Sequence, residues 1–189
     1  MKKTLLVAVV AALAAPGAAS AHARVSPPVS LANELQLYSL AVPTEKANAF
    51  TTKVVLTVPA GFSIDSFAPS PGWVRTLKQT GSGDAAVVQQ VTWTGGHVPT
   101  QEDALFEFLA QPSRSGTYAF RVQQTYSDGS IVDWNGSESA ADPAPTIRVA
   151  SSLGGGGTST LTVVALVLGA LGLVVGAVAL LSRGGRALA

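Results

Sequence analysis

Lys53-Val54-Val55-Leu56-Thr57-Val58 sets Val54, Leu56 and Val58 on one side of an extended chain and Lys53, Val55 and Thr57 on the other. Alternation with a period of two is the signature of a strand with one buried face. The pattern recurs on both sides of this stretch. Leu35 and Leu37 alternate with Glu34, Gln36 and Tyr38, and Tyr118, Phe120 and Val122 alternate with Ala119, Arg121 and Gln123. Further strands are expected over residues 72–78, 86–93, 104–110, 131–134 and 146–150, each bounded by Gly, Pro, Ser or Asn. In Tyr126-Ser127-Asp128-Gly129-Ser130-Ile131 the Asp-Gly pair suits the positive φ angles of a tight hairpin turn. Short strands at this spacing predict an all-β fold, an antiparallel β-sandwich of immunoglobulin-like or cupredoxin-like topology. No internal repeat is evident, and no long amphipathic helix precedes residue 160.

Toward the N-terminus, Met1-Lys2-Lys3 is positive and residues 5–15 form an apolar run shorter than a typical bilayer span. Pro16 and Gly17 interrupt it before Ala19-Ser20-Ala21, which fits the small-x-small pattern of signal peptidase. Residues 1–21 therefore read as a signal peptide, with cleavage after Ala21 leaving His22 as the mature N-terminus. Toward the C-terminus, residues 161–181 carry no charge and no Pro, and at about 1.5 Å per residue they are long enough for a hydrocarbon core of roughly 30 Å. A transmembrane helix is expected there. Arg183 and Arg186 in the 182–189 tail assign that tail to the cytoplasm and the preceding domain to the extracytoplasmic side. Residues 151–160, with Gly154-Gly155-Gly156-Gly157, read as a flexible linker, and residues 22–150 as one folded ectodomain.

Composition narrows the function classes. Lys2, Lys3, Arg183 and Arg186 lie outside residues 22–150, leaving eight basic residues against eleven acidic ones and a net charge of −3. No basic run interleaved with aromatics marks a nucleic-acid surface. The chain has no cysteine, so disulfides and thiolate metal sites are closed to it. A bound metal must use nitrogen and oxygen donors. The tetraglycine is not followed by Lys and leads into the apolar helix, which excludes a phosphate loop. No nucleophile motif surrounds any serine, Glu102-Asp103 read as a solvated turn, and no hydrolase triad is legible.

The free N-terminus at His22 offers chemistry that an internal histidine lacks. Its α-amine and ring Nδ1 belong to one residue and can close a chelate on a metal such as Cu(II), which favours tetragonal sets of nitrogen and oxygen. The other histidine, His97, sits in Gly95-Gly96-His97-Val98-Pro99, which reads as a solvent-exposed turn. As a functional residue it would supply the second ring of a two-histidine brace. Trp73 and Trp93 read as core.

The landmarks His22-Ala-Arg-Val-Ser-Pro27, Tyr38-Ser-Leu-Ala-Val-Pro43-Thr-Glu45-Lys46 and Thr51-Thr52-Lys53-Val54 resemble the opening of the YcnI-like domain family. Trp93-x-Gly95-Gly96-x-Val98-Pro99, Phe106-x-Phe108, Gln124-x-Tyr126-x-Asp128-Gly129 and Trp134 follow in the order that family shows, across nearly the whole ectodomain. The resemblance implies an exported β-sandwich, often membrane-anchored, that binds one copper ion through a single-histidine brace. The family's ligands are the N-terminal amine and imidazole plus a nearby glutamate, with a tryptophan close to the metal. On this chain His22 matches the brace and Trp134 the tryptophan. Ungapped spacing from the mature start sets Gln36 where the carboxylate is expected, with Glu34 and Asp133 as the alternatives.

These readings lead to an expected function. The chain is a non-enzymatic, membrane-anchored, extracytoplasmic Cu(II)-binding protein, one Cu(II) per ectodomain, serving copper trafficking, buffering or sensing. A membrane copper transporter or a copper chaperone is the implied partner. A metal-free surface interaction or adhesion module is the alternative, and a copper oxidase or oxygenase a third reading.

Overall fold

The computed structural model describes residues 21–154 and 159–183. The expected signal peptide, apart from Ala21, lies outside the described residues, as do residues 155–158 of the linker and the tail beyond Arg183. Among the described residues twelve strands and one long helix are formed. The strands are β1 (Arg24–Ser26), β2 (Val29–Leu31), β3 (Gln36–Pro43), β4 (Thr51–Thr57), β5 (Phe62–Phe67), β6 (Val74–Thr80), β7 (Val87–Val98), β8 (Asp103–Pro112), β9 (Gly116–Ala119), β10 (Arg121–Tyr126), β11 (Ile131–Trp134) and β12 (Thr146–Ala150). One sheet has the order β1-β3-β8-β5 and a second β11-β10-β4-β7-β6, while β2-β12-β9 form a third. Every pairing is antiparallel except that of β12 with β2.

Alternation builds the core as the sequence predicts for β4, where Val54 and Leu56 are fully buried. From the facing sheet Tyr38, Leu40, Val42, Phe106, Phe108 and Ala110 enter the same cluster. The two layers meet where Trp93 of β7 stacks on Phe106 of β8, ring centroids 4.1 Å apart. Ile147 and Val149 of β12, with Tyr118 of β9, join this core from the third sheet. Each large apolar side chain removed from water contributes about 1.5–3 kcal/mol, so these facing rows hold the layers together.

Two local expectations change. On β3 the apolar phase is the reverse of the one read from Leu35 and Leu37. Both leucines are exposed, whereas Tyr38, Leu40 and Val42 point inward, because this longer apolar row matches the inward residues of β8. The Gly95-Gly96-His97 turn is instead part of β7. Thr51 pairs with Val98 but Lys53 with Thr94, so the three residues bulge opposite the single Thr52. Glycine is required here for contact: a Cβ on Gly96 would lie 2.1 Å from the Trp73 indole, which occupies that space.

The second unit contains helix α1 (Thr160–Arg183). The Ser159 hydroxyl accepts a 3.0 Å hydrogen bond from the Thr162 amide, capping the first turn. From Thr160 to Ser182 the helix is long and apolar enough to cross a membrane.

Candidate metal centre

Strand pairing decides which residues meet at the start of the domain. β1 runs antiparallel to β3 with Arg24 opposite Ala41, Val25 opposite Leu40 and Ser26 opposite Ser39. Continuing this register by two residues sets His22 level with Pro43, the last residue of β3. Glu45 follows two residues later. The Ala21 amide donates to Glu45 Oε1 at 2.6 Å, a short bond of the kind a charged acceptor makes. The carboxylate that the fold brings to the chain start is thus Glu45.

Trp134 approaches from the other sheet. It ends β11, pairs with Val122 of β10 and is 1% exposed. Its ring centroid is 6.4 Å from that of His22, with the planes at 66°, an edge-on contact. The indole N–H donates to Gln124 Oε1 at 3.0 Å. That nitrogen is therefore engaged, and the ring serves as an apolar wall beside the imidazole.

The segment after Glu45 is pinned as well. Lys46 Nζ donates to Ser130 Oγ at 2.8 Å, pairs with the Asp128 carboxylate and sits 5.9 Å from the centre of the Tyr126 ring. The Lys46 ammonium, followed by the Ser130 hydroxyl and amide, holds the Asp128 carboxyl well below the usual range. Because Asp128 and Ser130 occupy the β10–β11 turn, the hairpin that carries Trp134 also grips the neighbour of Glu45.

The structure brings His22 and Trp134 together and leaves the three proposed carboxylate substitutes elsewhere. Gln36 pairs with Ala110 at the opposite end of β3 from Pro43. Seven strand steps separate the two, about 23 Å at about 3.3 Å per residue. Glu34 lies beyond that same end, so it is displaced with Gln36. Asp133 neighbours Trp134 in sequence, but alternation turns its side chain to the outer face of the sheet, where Gln123 Nε2 donates to it at 3.0 Å. Ungapped counting from His22 does not show that Glu45 meets the chain start, because the chain folds back on itself between β1 and β3. The hairpin-like pairing of the two strands is the signal that locates it.

His97 is exposed and packs its ring on Phe50, centroids 3.8 Å apart. Among the described residues no three His, Cys, Asp or Glu side chains cluster with metal-ligand geometry. A metal held between His22 and Glu45 would therefore need a further donor beyond their two side chains.

The comparisons with known proteins agree with this architecture. Residues 22–149 match the family described as "Domain of unknown function (DUF1775)", a match that begins at His22. The copper-binding protein CutI of Bacillus subtilis (strain 168) is 34% identical over 184 residues, 87% of each chain. A crystal structure from Nocardia farcinica, described as revealing an immunoglobulin-like fold, aligns with a TM-score of 0.54 and 31% identity, covering 68% of this chain and 98% of that one. Of the two sandwich topologies open from sequence, the immunoglobulin-like one is therefore the match. The twelve-stranded domain that opens at His22 belongs to the DUF1775, YcnI-like family.

Proposed function

We propose that the processed chain binds one Cu(II) at its N-terminus, through the His22 α-amine, the His22 imidazole and the Glu45 carboxylate. The observation that carries this reading is the 2.6 Å bond between Glu45 Oε1 and the Ala21 amide, one residue ahead of His22. Removal of residues 1–21 frees that carboxylate and converts the adjoining His22 nitrogen into an amine. Two nitrogens and one carboxylate oxygen form a donor set suited to Cu(II). The copper-binding name of the Bacillus subtilis relative supports copper as the cargo.

Trp134 walls one side of this group. Its indole N–H is bound to Gln124, so the ring restricts water and neighbouring ligands and does not donate to the metal. The remaining position is open to water or to a donor from a partner, as exchange with a copper transporter or chaperone requires. The apolar α1 helix tethers the domain to the membrane, on its extracytoplasmic face, where copper is received and passed on. The role is binding and transfer, in trafficking, buffering or sensing.

Intact mass of the exported protein, combined with a Cu(II) titration followed by electron paramagnetic resonance, tests the reading. A mass beginning at His22 and one tightly held Cu(II) with coupling to two nitrogens are expected. A His22 start with no specific Cu(II), or binding that survives His22→Ala, overturns it.

A further inference from the structure

The inward row of β10 is Val122, Gln124 and Tyr126, and Gln124 is completely buried. A primary amide is costly to bury without partners, so it persists in a core only where its bonds are made. Gln124 makes three. Oε1 accepts from the Trp134 indole at 3.0 Å, while Nε2 donates to the Pro43 carbonyl at 2.8 Å and to Thr51 Oγ1 at 2.6 Å. The indole is a donor only and the carbonyl an acceptor only, which fixes the orientation of the amide. The Thr51 hydroxyl is in turn 2.7 Å from that of Thr44.

All of these contacts converge on the same place. Trp134 is the wall beside His22, and Pro43 and Thr44 are the two residues that lead into Glu45. The Thr44 main chain is held separately, its amide donating to the Glu102 carbonyl and its carbonyl accepting from the Gln101 amide. The side chains of Gln124 and Thr51 therefore join the β11 end of one sheet to the β3 end of the other. No second route between the indole and the Pro43–Glu45 segment is formed by side-chain hydrogen bonds among the described residues.

We propose that Gln124 is a positioning residue for the copper site, holding the Trp134 wall and the Glu45 segment in one fixed relationship through its buried amide. This inference rests on the proposed His22–Glu45 site. A residue that acts only on folding changes the melting temperature of the metal-free chain and leaves the copper spectrum alone. A positioning residue changes the spectrum and the affinity of folded protein.

The test uses the processed full chain in detergent micelles, with inorganic Cu(II) as the probe. In Gln124→Met the side chain keeps its length and loses all three bonds. Its Cu(II) affinity is expected to fall at least about tenfold, with an altered copper hyperfine pattern in folded material. Gln124→Glu, which when protonated keeps an acceptor for the indole and one donor for the strand, is expected to recover most of that loss. If Gln124→Met fails to fold, Thr51→Val serves instead, since it is nearly isosteric and removes the hydroxyl that accepts from Gln124 and meets Thr44, while leaving the amide's bonds to Trp134 and Pro43; a loss of about threefold is expected. Wild-type affinity and spectrum in the folded variants overturn the positioning role alone. Absence of specific copper binding in the wild type, or its survival in His22→Ala, overturns the parent reading and this inference with it.

Discussion

Glu45 Oε1 accepts a 2.6 Å hydrogen bond from the Ala21 amide, although the two residues are 24 apart in sequence. The pairing of β1 with β3 makes this contact, and it separates Glu45 from every other carboxylate considered. Glu45→Gln is expected to weaken Cu(II) binding roughly tenfold or more, about 1.4 kcal/mol. Gln36→Ala, Glu34→Gln and Asp133→Asn should each remain close to wild type. Competition titration against a chromophoric chelator measures the series, and a larger effect at Gln36 than at Glu45 would sink the assignment.

The Trp134 ring lies 6.4 Å from the His22 ring. Cu(II) held at His22 should therefore quench Trp134 emission, the two other tryptophans being Trp93 in the core and Trp73 partly buried against it, both packed on Phe106. Most of the quenching is expected to disappear in Trp134→Phe and to persist in Trp73→Phe. Trp134→Phe also strands the Gln124 oxygen, at a cost of about 1–3 kcal/mol seen in denaturant unfolding. Equal quenching in both variants would place the copper elsewhere.

Gly96 supports the Trp73 indole directly on its backbone, and a Cβ there would lie 2.1 Å from the ring. Gly96→Ala is expected to displace Trp73 from Phe106 and destabilise the metal-free domain by about 1–3 kcal/mol, as overpacking does. Thermal unfolding checks the direction. A melting temperature at or above wild type would mean that the indole has an alternative place to go.

Tyr38 is fully buried, and among the described residues its hydroxyl and that of Ser30 are without hydrogen-bond partners. Burial pushes the Tyr38 phenol above its ordinary value, with Tyr118 adding to it. An unfolded tyrosine loses its proton near pH 10 while the folded one keeps it, so above about pH 10 the folded state binds more protons. The stabilisation is complete below about pH 10 and declines as pH rises toward the folded value. Tyr38→Phe should reduce this alkaline decline in the unfolding free energy. An unchanged slope would assign the decline to other groups.

The parts legible in sequence were those governed by local periodicity. The alternation of Val54 and Leu56 fixed the inward face of β4, and the uncharged run after Leu161 gave α1 almost to its ends. On β3, Leu35 and Leu37 misled because Tyr38 shares its inward phase with Leu40 and Val42, and the facing strand decides which row is buried. The family landmarks paired His22 with Trp134, and the two rings do meet. Glu45 lies inside one of those landmarks, but its approach to the Ala21 amide depends on the register between β1 and β3, which local periodicity does not carry. The bulge at Gly95–His97 was hidden for a similar reason. Gly96 answers to Trp73, a residue more than 20 positions earlier in the chain.

Processing should act as the switch that completes the site. With the Ala21–His22 bond intact, the His22 nitrogen is an amide without a free lone pair, and Glu45 Oε1 is occupied by the Ala21 N–H. Cleavage after Ala21 changes both at once, supplying an amine donor and releasing the carboxylate. Precursor retained by replacing Ala21 with a residue too bulky for signal peptidase should therefore bind Cu(II) at least about a hundredfold more weakly than the processed chain. Acetylation of the His22 α-amine in the processed chain should isolate the amine's share, reducing nitrogen coupling from two nitrogens to one while Glu45 remains free. Comparison of Glu45→Gln with the acetylated chain then divides the hundredfold between the two donors. Precursor that binds Cu(II) as tightly as processed protein, with the same nitrogen coupling, would remove the amine from the ligand set and leave an internal imidazole as the only nitrogen to explain the signal.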